Sequence, residues 1–244
     1  MLVMTPKATS QSLDFAKVKA FEHQLDDVME MIDTEFLKTK LTEVAQEFQQ
    51  ASTEINKLRL GIIYHETALN LGFIAKSNYK GYAKKSFDIL NEMHHNPQTT
   101  KELLPFISSY QASALSLHGG ETMKLSFIGN AFDLFEASIA KYGDVSVAPE
   151  FLRGSVSENL PWFFFSKRKF AKIDMQSIID KQHINNEYAN WRVMSFVYWA
   201  WANKRQSKKY RAQSLEYLDM AIELDVNYQA GRKSAEVLKA KLQK

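Results

Sequence analysis

The sequence predicts an all-α fold. Apolar residues recur at three- and four-residue steps through most of the chain, the spacing of one face of a helix. No run of β-branched residues alternates with period two, and only nine Gly and five Pro are present, too few for a loop-rich all-β chain.

The 244 residues can bury a sizeable core in one or two domains, and 45% hydrophobic with 24% charged residues is ordinary for a folded chain. With no cysteine, a disulfide framework, a thiolate zinc site and a cysteine nucleophile are all excluded. The opening "MLVMTPKATSQSLDF" lacks the uninterrupted apolar segment of a secretory signal. The longest apolar block elsewhere, "MSFVYWAWA" at 194–202, is too short to span a bilayer. These features point to the cytoplasm, or to the periplasm or an exported fate where an upstream signal has been removed. A net charge of +3 is too small to imply nucleic acid by itself.

Taken in order, residues 1–12 read as a flexible N-terminus and 13–50 as amphipathic helix. Val18, Phe21, Leu25, Val28, Ile32 and Phe36 form one apolar stripe, and Asp33-Thr34 offers a cap for a second helix. Residues 51–228 then repeat a theme of paired helices. "KLRLGIIY" at 57–64 and "WRVMSFVY" at 191–198 each carry a large residue, a small neighbour and an aromatic one turn later. Small residues at such places let two helices approach closely. A second helical pattern follows each: Ala83, Phe87 and Leu90 after the first, Ser214, Leu218 and Ala221 after the last. "NAFDLFEASI" (Ala131, Phe135, Ser138) and "KFAKIDMQSII" (Ala171, Met175, Ile178) supply two more. "ELLPFISSYQASALSLHGG" reads as a helix stopped by Gly119-Gly120, with Ser108, Ser109 and Ala112 as alternative contact sites, and "FLRGSVSENL" offers Gly154 as its small residue. "GRKSAEVLKAKLQ" places Ala235, Leu238 and Leu242 on one face, as a capping helix over 229–244 would.

These motifs resemble the tetratricopeptide repeat. Trp191, Met194, Ser195 and Tyr198 match its first-helix signature; Leu218, Ala221 and the "AIELDVN" ending match its second, with Ser214 and Val226 where the family has Ala and Pro. From Ala83 to Ala131, Ala171 and Ser214 the steps are 48, 40 and 43 residues, longer than the family's 34. "FLRG" followed by "LPWFF" is also similar to a stretch of bacterial helical-repeat proteins. The resemblance covers roughly 55–228 and implies a right-handed solenoid of about four antiparallel helical hairpins. It also implies a concave groove lined by first helices, which would bind a protein or peptide. In that register the groove residues are Ile62, His65, Ser155, Glu158, Asn159, Arg192, Phe196 and Trp199. Trp191 then packs inside its hairpin, while Trp199 lies either in the groove or against a neighbouring helix.

"LPWFFFSKRK" falls in the turn of the third hairpin. Pro161 biases Leu160 away from helix, and Ser166 is placed to cap the helix that follows. The preferred reading is that Trp162 and some of Phe163, Phe164 and Phe165 fold back as a plug, because four adjacent exposed aromatics are an aggregation liability. The alternative is a docking turn. Cations cluster beside this turn and the next: Lys167, Arg168 and Lys169, then Lys204, Arg205, Lys208 and Lys209. A basic edge of this kind is either a solvated rim that complements helix C-termini, or a contact for an acidic protein, RNA backbone or anionic membrane surface.

Catalytic signatures are missing. No G-x-S-x-G, H-E-x-x-H or phosphate-cradling glycine loop occurs. His94-His95 before Asn96-Pro97 reads as a helix C-terminus rather than a metal pair, and Asp26-Asp27 as a solvated face. The expectation is a non-catalytic scaffold without metal or cofactor; the alternatives are an anion-binding module using the basic edge, or a small-molecule sensor or enzyme with a pocket between the N-terminal helices and the array, and the sequence leaves partner identity and oligomeric state open.

Overall fold

A computed structural model describes residues 13–72 and 74–244. The reading of 1–12 as flexible lies outside the described residues. The chain is all-α, and no strand occurs among the described residues.

Two helices come first. Helix α1 (Phe15–Leu25) starts at Asp14, whose carboxylate accepts from the Ala16 and Lys17 amides, and α2 (Thr34–Gln50) starts at Asp33, which does the same for Glu35 and Phe36. The chain then forms α3 (Glu54–Asn70), the short α4 (Lys76–Tyr79), α5 (Tyr82–His95), α6 (Leu104–Thr122) and α7 (Leu125–Tyr142). It continues through α8 (Ala148–Asn159), the one-turn α9 (Phe165–Arg168), α10 (Phe170–Ile184), α11 (Trp191–Asn203), α12 (Arg211–Leu224) and α13 (Arg232–Leu242).

Packing follows two rules. Each long helix packs on the next: α2 on α3, α3 on α5, α5 on α6, and so to α12 on α13. A second set of contacts skips one helix, joining α3 to α6, α6 to α8, α8 to α11 and α11 to α13. The small residues explain how close the helices come. A methyl group on Gly61 would lie 2.9 Å from Cδ2 of Leu90 on α5, and Ser86 Oγ donates to the Gly61 carbonyl at 2.7 Å. Gly154 meets α10 in the same way, where a Cβ would sit 2.4 Å from Met175 Cε. Ser195 is fully buried and donates to Ala221 O at 2.8 Å, joining α11 to α12. Ala83, Ala131, Ala171 and Ser214 are likewise buried, as are Phe135, Met175, Leu218 and Ala221.

Several expectations are corrected. The stripe from Val18 to Phe36 is not continuous: α1 ends at Leu25, Glu30 takes a left-handed φ of 58°, and Ile32 and Phe36 emerge exposed on the far side of that turn. Gly119-Gly120 does not stop α6, which runs on to Thr122 and ends at Met123 in the left-handed region. Both glycines are internal, and Gly119 admits Phe127 Cβ to 3.0 Å of where its own Cβ would be. Ser166 does not cap a helix; it lies within α9, and neither α9 nor α10 has a side-chain cap. Trp191 is the first residue of α11 after the Asn190 cap and is 38% exposed, whereas Trp201 fills the interior.

Candidate functional site

Two regions concentrate unusual side chains. The first is where the sequence places the groove. Ile62 and His65 are fully buried, so neither faces an open surface. The cover is the chain's own segment 19–31. Arg59 donates to Gln24 O and pairs with Asp27; Glu66 Oε2 accepts from the Met31 amide at 3.1 Å; Asn70 donates to Met31 O at 2.9 Å. On the other side Lys19 donates to Tyr188 O at 2.7 Å and Arg192 to Asp26 O at 2.8 Å. Leu25, Val28, Met29 and Met31 of this segment, with Val18 just before it, join the main core. Arg192 is therefore a clamp on the N-terminal segment rather than a free anchor. The apolar stripe of 13–36 signalled an amphipathic helix, but nothing in it named the face that would receive it.

The remaining groove residues are scattered. Ser155 Oγ is enclosed without a hydrogen-bond partner among the described residues. Glu158 pairs with Lys204 at 2.7 Å and accepts from Asn203, so it holds α8 to α11. Asn159 is exposed. Phe196 and Trp199 are half-buried, with rings 5.2 Å apart, and Phe196 packs edge-on against Phe151 at 5.5 Å. Trp199 thus stands half-buried beside Phe196 of its own helix, packed against the core.

Beneath the N-terminal segment lies a polar relay. His65 Nε2 is 2.7 Å from Ser113 Oγ and His65 Nδ1 is 3.0 Å from Glu66 Oε1. The order hydroxyl, imidazole, carboxylate is that of a nucleophilic triad. All three residues are buried, however, and Ser113 stands inside α6, where backbone N–H groups are committed to the helix and leave no oxyanion donors. The relay joins α3 to α6 and, through Glu66, to the N-terminal segment. Glu30 lies beside it. Its carboxyl is pushed up to about 8, first by burial and then by the charges of Glu66 and Glu22. Glu22 is raised too, again chiefly by burial.

The second region is the row formed by the connections that follow α3, α6, α8 and α11. Direct contacts place them side by side. The Gly81 amide donates to Glu121 at the end of α6; Ile128 and Phe132 of α7 pack with Leu160, Phe164 and Phe170; and Glu158 meets Lys204. The aromatic turn stands on this row, where it is not the plug that the sequence favoured. Trp162 and Phe165 are each 78% exposed and Phe163 is half exposed; Phe164 alone turns inward. Trp162 meets Phe163 edge-on at 6.1 Å, and Phe163 meets Phe164 with tilted rings at 4.8 Å. The physical reason lies beneath. Arg153 fills the adjacent interior, donating two hydrogen bonds to Asp174 at 2.9 and 2.6 Å with its guanidinium 4.1 Å above the Phe170 ring. Burial, opposed by Arg153, pushes the Asp174 carboxyl up to about 6. With that space taken, only one ring of the four finds an apolar seat.

The basic edge divides in two. Lys167 and Lys169 lie over the Phe132 and Phe170 rings at 5.2 and 5.3 Å, and they, Arg168 and Lys172 pair with no carboxylate among the described residues. Lys208 and Lys209 are exposed. Lys204 and Arg205 are not free cations: Lys204 is bound to Glu158, and Arg205 lies 4.2 Å over the Trp201 ring, where burial lowers its pKa. No group of His, Asp and Glu among the described residues has the geometry of a metal site. No helix among them is long and apolar enough to cross a membrane.

No protein-family model, curated protein or solved structure matches the chain.

Proposed function

We propose that the chain is a non-catalytic helical-repeat scaffold that works through the exposed aromatic and basic turn, not through a concave groove. The tetratricopeptide-like solenoid reading is supported by the two packing rules, in which alternate helices touch each other as well as their sequence neighbours. The side-by-side contacts of the intra-pair connections support it as well. The observation that carries the functional reading is the contrast in exposure: Ile62 and His65 at 0% against Trp162 and Phe165 at 78%. An apolar patch held open on a rigid scaffold and ringed by cations is the composition of an interaction surface. The buried relay joins core helices, with no access for a substrate.

A photo-crosslinking amino acid placed at Phe165 and, separately, at Ile184 tests this in cells. Ile184 is 87% exposed but sits at the far end of α10, about 21 Å along the helix from its first residue, Phe170. Adducts from position 165 and none from 184 are the expected result. Equal labelling from both positions, or none from either, overturns the reading.

A further inference from the structure

We infer that the partner of the aromatic turn is an anionic bilayer surface. The inference rests on the reading of this turn as the working surface. Three features select a membrane over other occupants. The exposed apolar groups are not rings alone. Met123 is 78% and Leu125 half exposed, and Leu125 stands one turn before Ile128, whose side chain packs with Phe164. Aliphatic groups add nothing to base stacking, but they gain as much as rings do from burial in acyl chain. Next, the patch protrudes rather than encloses: the cavity on the flank of α10, lined by Lys172, Ile173, Gln176 and Arg205 among others, includes none of the four rings. Such an exposed tip is the shape that enters a bilayer, which requires no groove. Finally, the turn itself carries charge of one sign, while Glu121 and Glu158 on the same row are engaged with the Gly81 amide and Lys204. Residues 160–173 contain four cations and no carboxylate, with Lys124 beside Leu125 adding a fifth cation.

The arrangement matches the bilayer interface by depth. Trp and Phe partition into the headgroup zone, and Lys and Arg extend back to anionic phosphates from stems that lie along apolar surface. Here Lys167, Lys169 and Lys124 already lie over the Phe132, Phe170 and Phe127 rings. Neither feature alone anchors a protein; apolar insertion and a polybasic ring together give reversible, charge-dependent binding.

The test is co-sedimentation of the full chain with phosphatidylcholine vesicles, with and without 30% phosphatidylglycerol (about the anionic fraction that makes such electrostatics measurable). Binding to the anionic vesicles at least tenfold tighter than to the neutral ones is expected. It should weaken at least tenfold in Trp162→Ser/Phe165→Ser and, separately, in Lys167→Glu/Lys169→Glu, with unchanged melting temperatures. Brominated lipid should quench a fraction of the tryptophan emission that is absent in Trp162→Phe. Failure to bind anionic vesicles, or binding indifferent to both double variants, overturns the inference. So does poly(U) RNA binding that depends on the rings, or a dimer that Trp162→Ser/Phe165→Ser makes monomeric. Protein adducts from position 165 without vesicle binding would sink the membrane alone and leave the working surface standing. No adducts of any kind would sink both.

Discussion

Trp201 and Trp162 stand 39 residues apart in sequence and at opposite extremes of burial, and truncating each to Ala separates the interior from the edge. Trp201 is 2% exposed; its indole N–H donates to Gln176 Oε1 at 2.6 Å, and its ring meets Tyr217 at 4.7 Å and the Arg205 guanidinium at 4.2 Å. Trp201→Ala opens a cavity between α10, α11 and α12, and should cost about 3–5 kcal/mol. The freed Gln176 amide reaches solvent and adds little to that figure. With a urea dependence of about 3 kcal/mol per molar for a chain of this size, the midpoint should fall by roughly 1–1.7 M. Trp201→Phe keeps the ring contacts and loses one hydrogen bond, so it should cost about 1–2 kcal/mol. Trp162→Ala, by contrast, should stay within about 0.5 kcal/mol of wild type. Urea melts followed by far-ultraviolet circular dichroism measure all three. If Trp201→Ala loses less than about 1 kcal/mol, or Trp162→Ala loses several, the inside-out assignment of the last two helix pairs is wrong.

Other outcomes follow from the buried charges. Glu30 has a folded pKa of about 8, above its ordinary 4.5, so the native state holds the proton to higher pH than the unfolded chain. Its contribution is complete below pH 4.5 and is lost as pH rises to 8. The melting temperature should therefore fall across that window more steeply in wild type than in Glu30→Gln, with Asp174 adding the same sign between 3.8 and about 6; parallel profiles would count against it. Arg153→Ala strands Asp174 in the interior and should cost about 3–5 kcal/mol, with a large part recovered in Arg153→Ala/Asp174→Ala. A double variant as unstable as the single would refute the pairing. Gly61→Val should destabilise by about 1–3 kcal/mol through overpacking against Leu90, read in the same urea melts; a neutral result would deny the close approach of α3 and α5.

Helix periodicity and small-residue spacing made much of the interior legible in the sequence. Gly61, Gly154 and Ser195 stand at the tight helix contacts their motifs imply, and of the positions named from Ala83 to Ala221 Phe87 is half-buried and the rest are buried. What stayed hidden depends on non-local fit. That segment 19–31 would cover Ile62 and His65 is a property of two surfaces, and no window of one helix contains it. Trp191 and Trp201 show the same limit at shorter range. Both are aromatic in one apolar helix, and the Asn190 cap, by putting Trp191 in the first turn, decides which is inside. The four rings at 162–165 misled for a physical reason: their burial is limited by the space left beside the Arg153–Asp174 pair, and sequence alone does not report that space.

Because the chain has no native cysteine, a single introduced thiol reports one position at a time. The most direct test of the central claim, that the turn and not the groove is the open surface, compares maleimide labelling of Phe165→Cys with that of Ile62→Cys in the native protein. Phe165→Cys should react at nearly the rate of a free thiol, and Ile62→Cys at least about a hundredfold more slowly, since labelling there requires opening that costs about 2.7 kcal/mol or more. Comparable rates at the two positions, or protection at Phe165→Cys, would contradict the account.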